Sequence, residues 1–442
     1  MNYKSYMLHN YKTIPQINSL SEDAIEAIDV VASVLPFKTN NYVVENLIDW
    51  DNAQNDPIFI LTFPQKGMLR PHHYRKMLET IKSGASKAEI KDIANEIRLE
   101  LNPHPAGQLD HNVPKVDGEK VFGMQHKYRE TVLFFPGQGQ TCHAYCTFCF
   151  RWPQFVGMDE LKFASRQAES LVQYVSDHPE VTDVLFTGGD PLIMKTKILE
   201  AYIRPLIESE LDNLVNIRIG TKALAYWPYR FLTDDDADDL LKLFADVKRA
   251  GKHLAFMSHF NHPSELEHPA VSEAITKILN TGAMIRTQSP LLKHINDSSE
   301  TWAEMWKKQV NLGCVPYYMF VARNTGADHY FSIPLVEAWK TFREAYQSVS
   351  GISRTVRGPS MSCLPGKMQI LGVNNINGED VFTLRFIQGR GPDWVAKSFF
   401  AKFDEGASWY TDLRPAFGDD KFFFQDELDK ILRPEEIDVV QE

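Results

Sequence analysis

The sequence predicts an α/β chain: a partial (β/α)6 TIM-like barrel with a helical N-terminal extension and an α+β C-terminal extension. Three observations predict it. Short β-branched and aromatic runs alternate with helical patterns from about residue 130 to 350. Six such units in succession imply parallel strands joined by right-handed crossovers. The segment after each run is polar or glycine-rich, which suits a shared site at the C-terminal ends of barrel strands.

The elements follow in order. Residues 1–125 read as mostly helical, with apolar residues at helical spacing over 71–82 and 86–100. Proline and glycine punctuate 102–118 as a connector. Strands are predicted at Thr131–Phe135, Asp183–Phe186, Val215–Ile219, His253–Met257, Met284–Thr287 and Val315–Val321. Helices are predicted near 162–177, 196–210, 234–250, 269–281, 300–312 and 334–348. Thr233 is expected to cap the third of these helices, with Asp234, Asp235 and Asp236 complementing its N-terminal dipole. Residues 126–350 therefore form the barrel region. Residues 351–442 return to strand-like and irregular sequence, with a strand at Val381–Phe386 and an acid-rich tail from Asp404.

Bulk properties exclude several classes. The 442 residues are ample for a sizeable core, and the composition is that of an ordered chain. No apolar run reaches the roughly 18 residues a membrane helix needs. The first residues lack a signal-peptide hydrophobic region, so a cytoplasmic location is expected. Five cysteines, odd in number and clustered, argue against a disulfide framework. A net charge of −11 disfavours nucleic-acid binding.

Cys142, Cys146 and Cys149 carry the strongest chemical signal, spaced C-x3-C-x2-C. Three thiolates so placed can hold three irons of a [4Fe-4S] cluster and leave the fourth open to an outside ligand. A structural zinc site is the plainer reading, with His143 assisting, but zinc usually takes paired cysteines and a closed tetrahedral set. The spacing resembles the signature of radical S-adenosylmethionine enzymes. Thr187, Gly188, Gly189 and Asp190 follow the second predicted strand and resemble the segment that binds that cofactor's amino group.

A closer resemblance covers roughly residues 45–390. Thr187–Met194 (TGGDPLIM), Ser258–Leu266 (SHFNHPSEL), Gln288–Asp297 (QSPLLKHIND), Pro316–Tyr318 (PYY), Pro365–Lys367 (PGK) and Asn55–Pro64 are similar to segments of the lysine 2,3-aminomutase family. The resemblance implies a radical S-adenosylmethionine barrel, a [4Fe-4S] cluster, S-adenosylmethionine and pyridoxal 5'-phosphate. It implies migration of an α-amino group to the neighbouring carbon of a small amino acid. By matching position, Lys367 would carry pyridoxal phosphate, and Tyr318 would pack beside it. Arg151 would bind the substrate's α-carboxylate. His259 and Gln288 would belong to the S-adenosylmethionine site, so His259 and His262 are not assigned a metal. A one-electron reductant such as flavodoxin or ferredoxin and a homo-oligomeric assembly are expected on the same ground.

The chain also departs from the family pattern. Two aspartates that hold the distal ammonium in lysine-specific members align with Arg323 and Ser360. That substitution should repel lysine and favour an anion, as in the glutamate-specific branch. Asp328 is a local carboxylate that could absorb Arg323 instead. The arginine that grips the pyridoxal phosphate group aligns with Thr131, leaving Lys127, Arg129 or another basic residue as substitutes. The glycine run before Lys367 is shortened. Ser298 stands at one structural-zinc cysteine position, and Cys314 and Cys363 read as ordinary buried thiols near the barrel mouth. Two rivals therefore stand beside the aminomutase reading. One is a radical S-adenosylmethionine enzyme without pyridoxal phosphate, and the other a non-catalytic iron–sulfur protein.

Overall fold

A computed structural model describes residues 1–102, 112–116, 119–157, 163–165 and 168–432. Most of the expected 102–118 connector, residues 162, 166 and 167 of the predicted 162–177 helix and the last ten residues of the acidic tail lie outside the described residues, and Ser165 bridges to Pro136 ahead of the helix that begins at Ala168.

An eleven-stranded mixed sheet organises the chain. Strands at Thr131–Phe134, Asp183–Phe186, Asn216–Thr221, His253–His259, Met284–Leu291 and Val315–Val321 follow one another in space in sequence order. All pair in parallel. Each lies within a residue or a few of its predicted range. The intervening helices, Ala168–Asp177, Thr196–Glu208, Ala237–Arg249, Pro269–Asn280, Ser299–Asn311 and Leu335–Gln347, match the six expected.

The alternation of a strand explains the packing. Phe134, Phe186, Ile219, Phe256 and Ile285 are register partners across five strands and are fully buried. Helix Ala237–Arg249 meets this row with Leu240, Leu243, Phe244 and Val247, one stripe at helical spacing. Phe244 sits 5.0 Å from Phe256, ring centre to ring centre. The alternate positions, including Arg218, His259, Gln288 and Tyr318, belong to the other face, where the site lies.

The sheet continues further than the sequence pattern indicates. Arg357–Ser362 joins Val315–Val321 as a seventh parallel strand, and Gly366–Ile376, Glu379–Gly389 and Ser398–Lys402 extend it in antiparallel fashion. At the other edge Met124–Tyr128 forms an antiparallel hairpin with Thr131–Phe134. The boundaries expected at 125 and 350 therefore fall inside one sheet. Its hydrogen-bonded edges stay open, yet the sheet curls. Lys127 from the first strand donates to the Cys363 carbonyl beyond the eighth, and Lys367 Nζ lies 6.0 Å from the Tyr128 ring centre.

One local expectation is corrected. Thr233 does not cap the 237–249 helix; Asp236 occupies the N-cap position, without a side-chain cap bond. Tertiary partners take the acids. Asp234 accepts from Trp227 Nε1 at 3.0 Å, and Asp236 accepts from Arg230 Nη1 at 3.0 Å and from the Thr196 amide at 2.6 Å. Arg230 is 2% exposed and also donates to the carbonyls of Leu192 and Met194. R230A removes one partner of this buried network and is expected to destabilise the protein by about 3–5 kcal/mol, read as a lower urea midpoint.

Candidate active site

The cysteine loop is held by the N-terminal region. Tyr145 N donates to Lys38 O at 2.8 Å, and Thr147 N donates to Leu61 O at 3.0 Å. Asn40 Nδ2 donates to the carbonyls of His143 and Tyr226, and Tyr3 OH donates to His143 O at 2.7 Å. Sequence reasoning missed these holders, because nothing local marks a residue that acts about a hundred positions away.

Gly188 and Gly189 explain how the second strand end meets this loop. A Cβ on Gly189 would lie 2.4 Å from the Thr141 carbonyl oxygen, and Gly188 has a φ of +135°. The close approach these glycines permit is thus to the cysteine loop itself. Thr187 N bonds to Phe134 O at 2.9 Å. Asp190 is buried and accepts from Thr221 Oγ1, Lys222 N and Leu192 N, which braces two neighbouring strand ends.

The donor set fits an iron–sulfur cluster better than a lone ion. A tetrahedral zinc would draw its ligand atoms close together, at about 2.3 Å from each sulfur to the metal. Among the described residues, the set of three ligand atoms within 4.8 Å of one another is His72, His73 and Glu100, and not the three thiols. A cluster spreads its thiolates more widely. Burial raises all three thiols, Cys149 to about 12, so metal binding here would displace protons. Tyr226 OH and Cys146 Sγ share a hydrogen bond at 3.4 Å.

A second group of residues lines the same face. His259, Gln288, Tyr318 and Arg357 are register partners across four adjacent strands. Gln288 Nε2 donates to His259 Nε2 at 2.7 Å, which makes that ring nitrogen the acceptor. Burial, with Lys222 nearby, holds the His259 pKa down at about 3, so the ring stays neutral. Lys367 Nζ lies 4.2 Å from the Tyr318 ring centre and donates to Gln388 Oε1 at 3.1 Å. Burial pushes its ammonium well below the ordinary lysine range, helped by Arg218, Arg357 and Lys127. A neutral amine is the form a lysine nucleophile needs.

Two guanidinium groups flank Phe150. Arg151 is 7% exposed, with its carbon 4.3 Å from the Phe135 ring centre and 5.3 Å from that of Phe150. Arg323 lies 5.1 Å from the Phe150 ring centre. Neither makes a side-chain hydrogen bond or ion pair with a described residue, and Arg151 Nη1 is a buried donor without a partner. Asp328 does not absorb Arg323; it lies 3.7 Å from His329 Nδ1 instead. Ser360 is fully buried and donates to the Arg357 carbonyl at 3.1 Å.

No family model matches the chain. A putative L-lysine 2,3-aminomutase of Aquifex aeolicus (strain VF5) is 32% identical over 396 residues, covering 90% of this chain and 92% of that protein. The chain belongs to the lysine 2,3-aminomutase family. L-lysine 2,3-aminomutase of Escherichia coli (strain K12) is 28% identical over 231 residues, 52% of this chain and 63% of that protein. The Bacillus subtilis (strain 168) L-lysine 2,3-aminomutase is 29% identical over 317 residues, 71% of this chain and 57% of that protein. The chain thus spans under two thirds of the length of these two relatives. A radical SAM methyltransferase from Sphaerobacter thermophilus overlays with a TM-score of 0.39 at 16% identity, covering 66% of this chain and 93% of that chain.

Aminomutases of this family work with a [4Fe-4S] cluster, S-adenosylmethionine and pyridoxal phosphate, and the residues present fit a phosphorylated cofactor. Arg129 is 63% exposed and lies beside Glu130. Lys127 is half-buried, with its Nζ donating to the Cys363 carbonyl. Burial lowers its pKa to about 7, with Arg390 and Arg323 adding to the effect. Between about 7 and its ordinary 10.5 the native lysine binds fewer protons than the unfolded one. Stability of the cofactor-free protein should therefore rise with pH across that window. Urea midpoints at pH 7 and 9 are expected to show a smaller rise in K127M than in wild type.

Among the described residues, no helix is long and apolar enough to cross a membrane.

Proposed function

We propose that this chain is a radical S-adenosylmethionine, pyridoxal-phosphate-dependent 2,3-aminomutase that converts an acidic α-amino acid, glutamate first among candidates, to its β-isomer. On this reading the curled sheet is the family's partial (β/α)6 barrel. The observation that carries the substrate assignment is the pair Arg151 and Arg323, two buried or half-buried cations without carboxylate partners among the described residues. Isolated guanidinium groups are costly to desolvate unless an anion answers them. A dicarboxylic amino acid supplies two carboxylates, one for each.

The cofactors supply radical generation and a π-system that accommodates the unpaired electron during migration. The chain's own residues do the rest. Cys142, Cys146 and Cys149 would hold the cluster. Thr187, Gly188, Gly189, Asp190, His259 and Gln288 shape the S-adenosylmethionine site, with Asp190 and the glycines bracing strand ends against the cysteine loop. Lys367 offers an amine whose protonation burial disfavours, Tyr318 packs against it, and Lys127 answers the phosphate. Arg151 orients the α-carboxylate by a bidentate contact, and Arg323 with Ser360 faces the distal one. A flavodoxin- or ferredoxin-type donor, a cytoplasmic setting and a homo-oligomer complete the proposal.

Incubating the reconstituted, reduced protein separately with lysine, glutamate, aspartate and alanine tests it. Mass spectrometry should show 5′-deoxyadenosine and an isomer of glutamate, with lysine unchanged. Isomerised lysine alone would overturn the substrate assignment. One observation favours the reading without pyridoxal phosphate: Thr131, at the phosphate-arginine position, spends its hydroxyl on Asp183 at 3.3 Å. Cleavage of S-adenosylmethionine without any isomer, and without pyridoxal phosphate bound, would support that rival. Absence of cleavage would favour the non-catalytic iron–sulfur protein.

A further inference from the structure

Two lysines approach the cysteine loop from different elements, and their charges have different fates. Lys222 Nζ lies 4.5 Å from the Tyr226 ring centre, and Glu265 Oε1, 2.6 Å away, cancels its charge. Lys38 has no such acid. Its Nζ donates to the Cys142 carbonyl at 2.6 Å and lies 3.4 Å from Thr141 Oγ1. It faces the Tyr145 ring at 5.8 Å and the Tyr3 ring at 6.0 Å. No carboxylate of a described residue lies within ion-pair distance of it. Its backbone is fixed as well, since Lys38 O accepts from Tyr145 N at 2.8 Å inside the loop.

A half-buried ammonium held on a metal-ligand loop without an acid is unfavourable by itself. It becomes favourable when a negative charge forms beside it. Thiolate-ligated iron–sulfur clusters carry net negative charge, and one-electron reduction adds another. Net charge and hydrogen bonding around the sulfurs set the reduction potential. We propose that Lys38 is a positioning residue that acts as the cluster's fixed counter-charge, raising its reduction potential so that a biological one-electron donor can reduce it. This rests on the reading that the three cysteines hold a four-iron cluster.

Redox titration of the anaerobically reconstituted full chain, followed by electron paramagnetic resonance and iron content, tests it. K38M removes the charge and keeps the length; K38R keeps the charge. At the potential that half-reduces wild type, the reduced-to-oxidised ratio in K38M is expected to fall about tenfold, ~59 mV for a one-electron couple. K38R should stay within about twofold of wild type. Iron loss in K38M alone would also support the charge role. K38M titrating with wild type at full iron content would overturn the proposal. So would iron loss in both variants, because the lysine would then act as a tether and not as a charge. Failure of all three proteins to take up iron would sink the cluster reading beneath it as well, and is told apart because the wild type fails too.

Discussion

K367A is expected to abolish β-amino acid formation, by at least about a thousandfold or ~4 kcal/mol of transition-state stabilisation, while leaving the iron–sulfur cluster in place. Lys367 is half-buried, and desolvation first, then the charges of Arg218, Arg357 and Lys127, push its proton off. An amine whose charged form is disfavoured, 4.2 Å from the Tyr318 ring centre and 3.1 Å from Gln388 Oε1, is poised for attack on an aldehyde. The cysteines lie on a different loop with separate holders, so the cluster should survive the change. Two readings follow from one protein. Iron content and the reduced-cluster signal should match wild type, and the absorbance of lysine-bound pyridoxal phosphate, measured on iron-free protein, should vanish. K367R would not rescue, because an arginine stays protonated. Full activity in K367A would remove Lys367 from the chemistry.

The six-unit repeat was legible because its strands are β-branched and aromatic, and its helices carry clean apolar stripes. The seventh parallel strand, Arg357–Ser362, was not. Its Gly-Pro-Ser-Met core has little strand propensity, and its pairing with Tyr318 and Phe320 creates the strand. Thr233 illustrates a different failure. The local capping pattern was sound, but Arg230 claims Asp236 through a buried network, and tertiary contact outranks local propensity. For the site, the resemblance nominated Cys142, Cys146, Cys149, Arg151 and Lys367 by motif, and it nominated Arg323 and Ser360 through departure from the pattern. Gly188 and Gly189 are expected to lie against a ligand, and they also lie tightly against Gln140 and Thr141 of the cysteine loop. Lys38 and Asn40 carry no motif at all; only folding brings them to the cysteine loop.

Arg323→Asp is expected to lower kcat/KM for glutamate by about two to three orders of magnitude, the cost of losing a half-buried charge partner and adding a repulsive one. The argument is local. Arg323 leans on Phe150 and has no acid among the described residues, so its charge is available to a ligand. Substituting aspartate reverses that charge beside the place where a distal carboxylate would sit. R323D/S360D goes further and installs carboxylates at both positions that the resemblance assigns to aspartate in lysine-specific members. Ser360 is fully buried, and its hydroxyl donates to the Arg357 backbone carbonyl. The double variant should therefore gain measurable turnover of lysine while losing glutamate. Arg151→Ala separates this from general damage. The α-carboxylate is common to every amino acid, so R151A should lower turnover of all of them alike. If R323D left glutamate turnover unchanged while R151A removed it, the distal carboxylate would have to be met elsewhere. The charge reading of Arg323 would then fall without disturbing the family assignment.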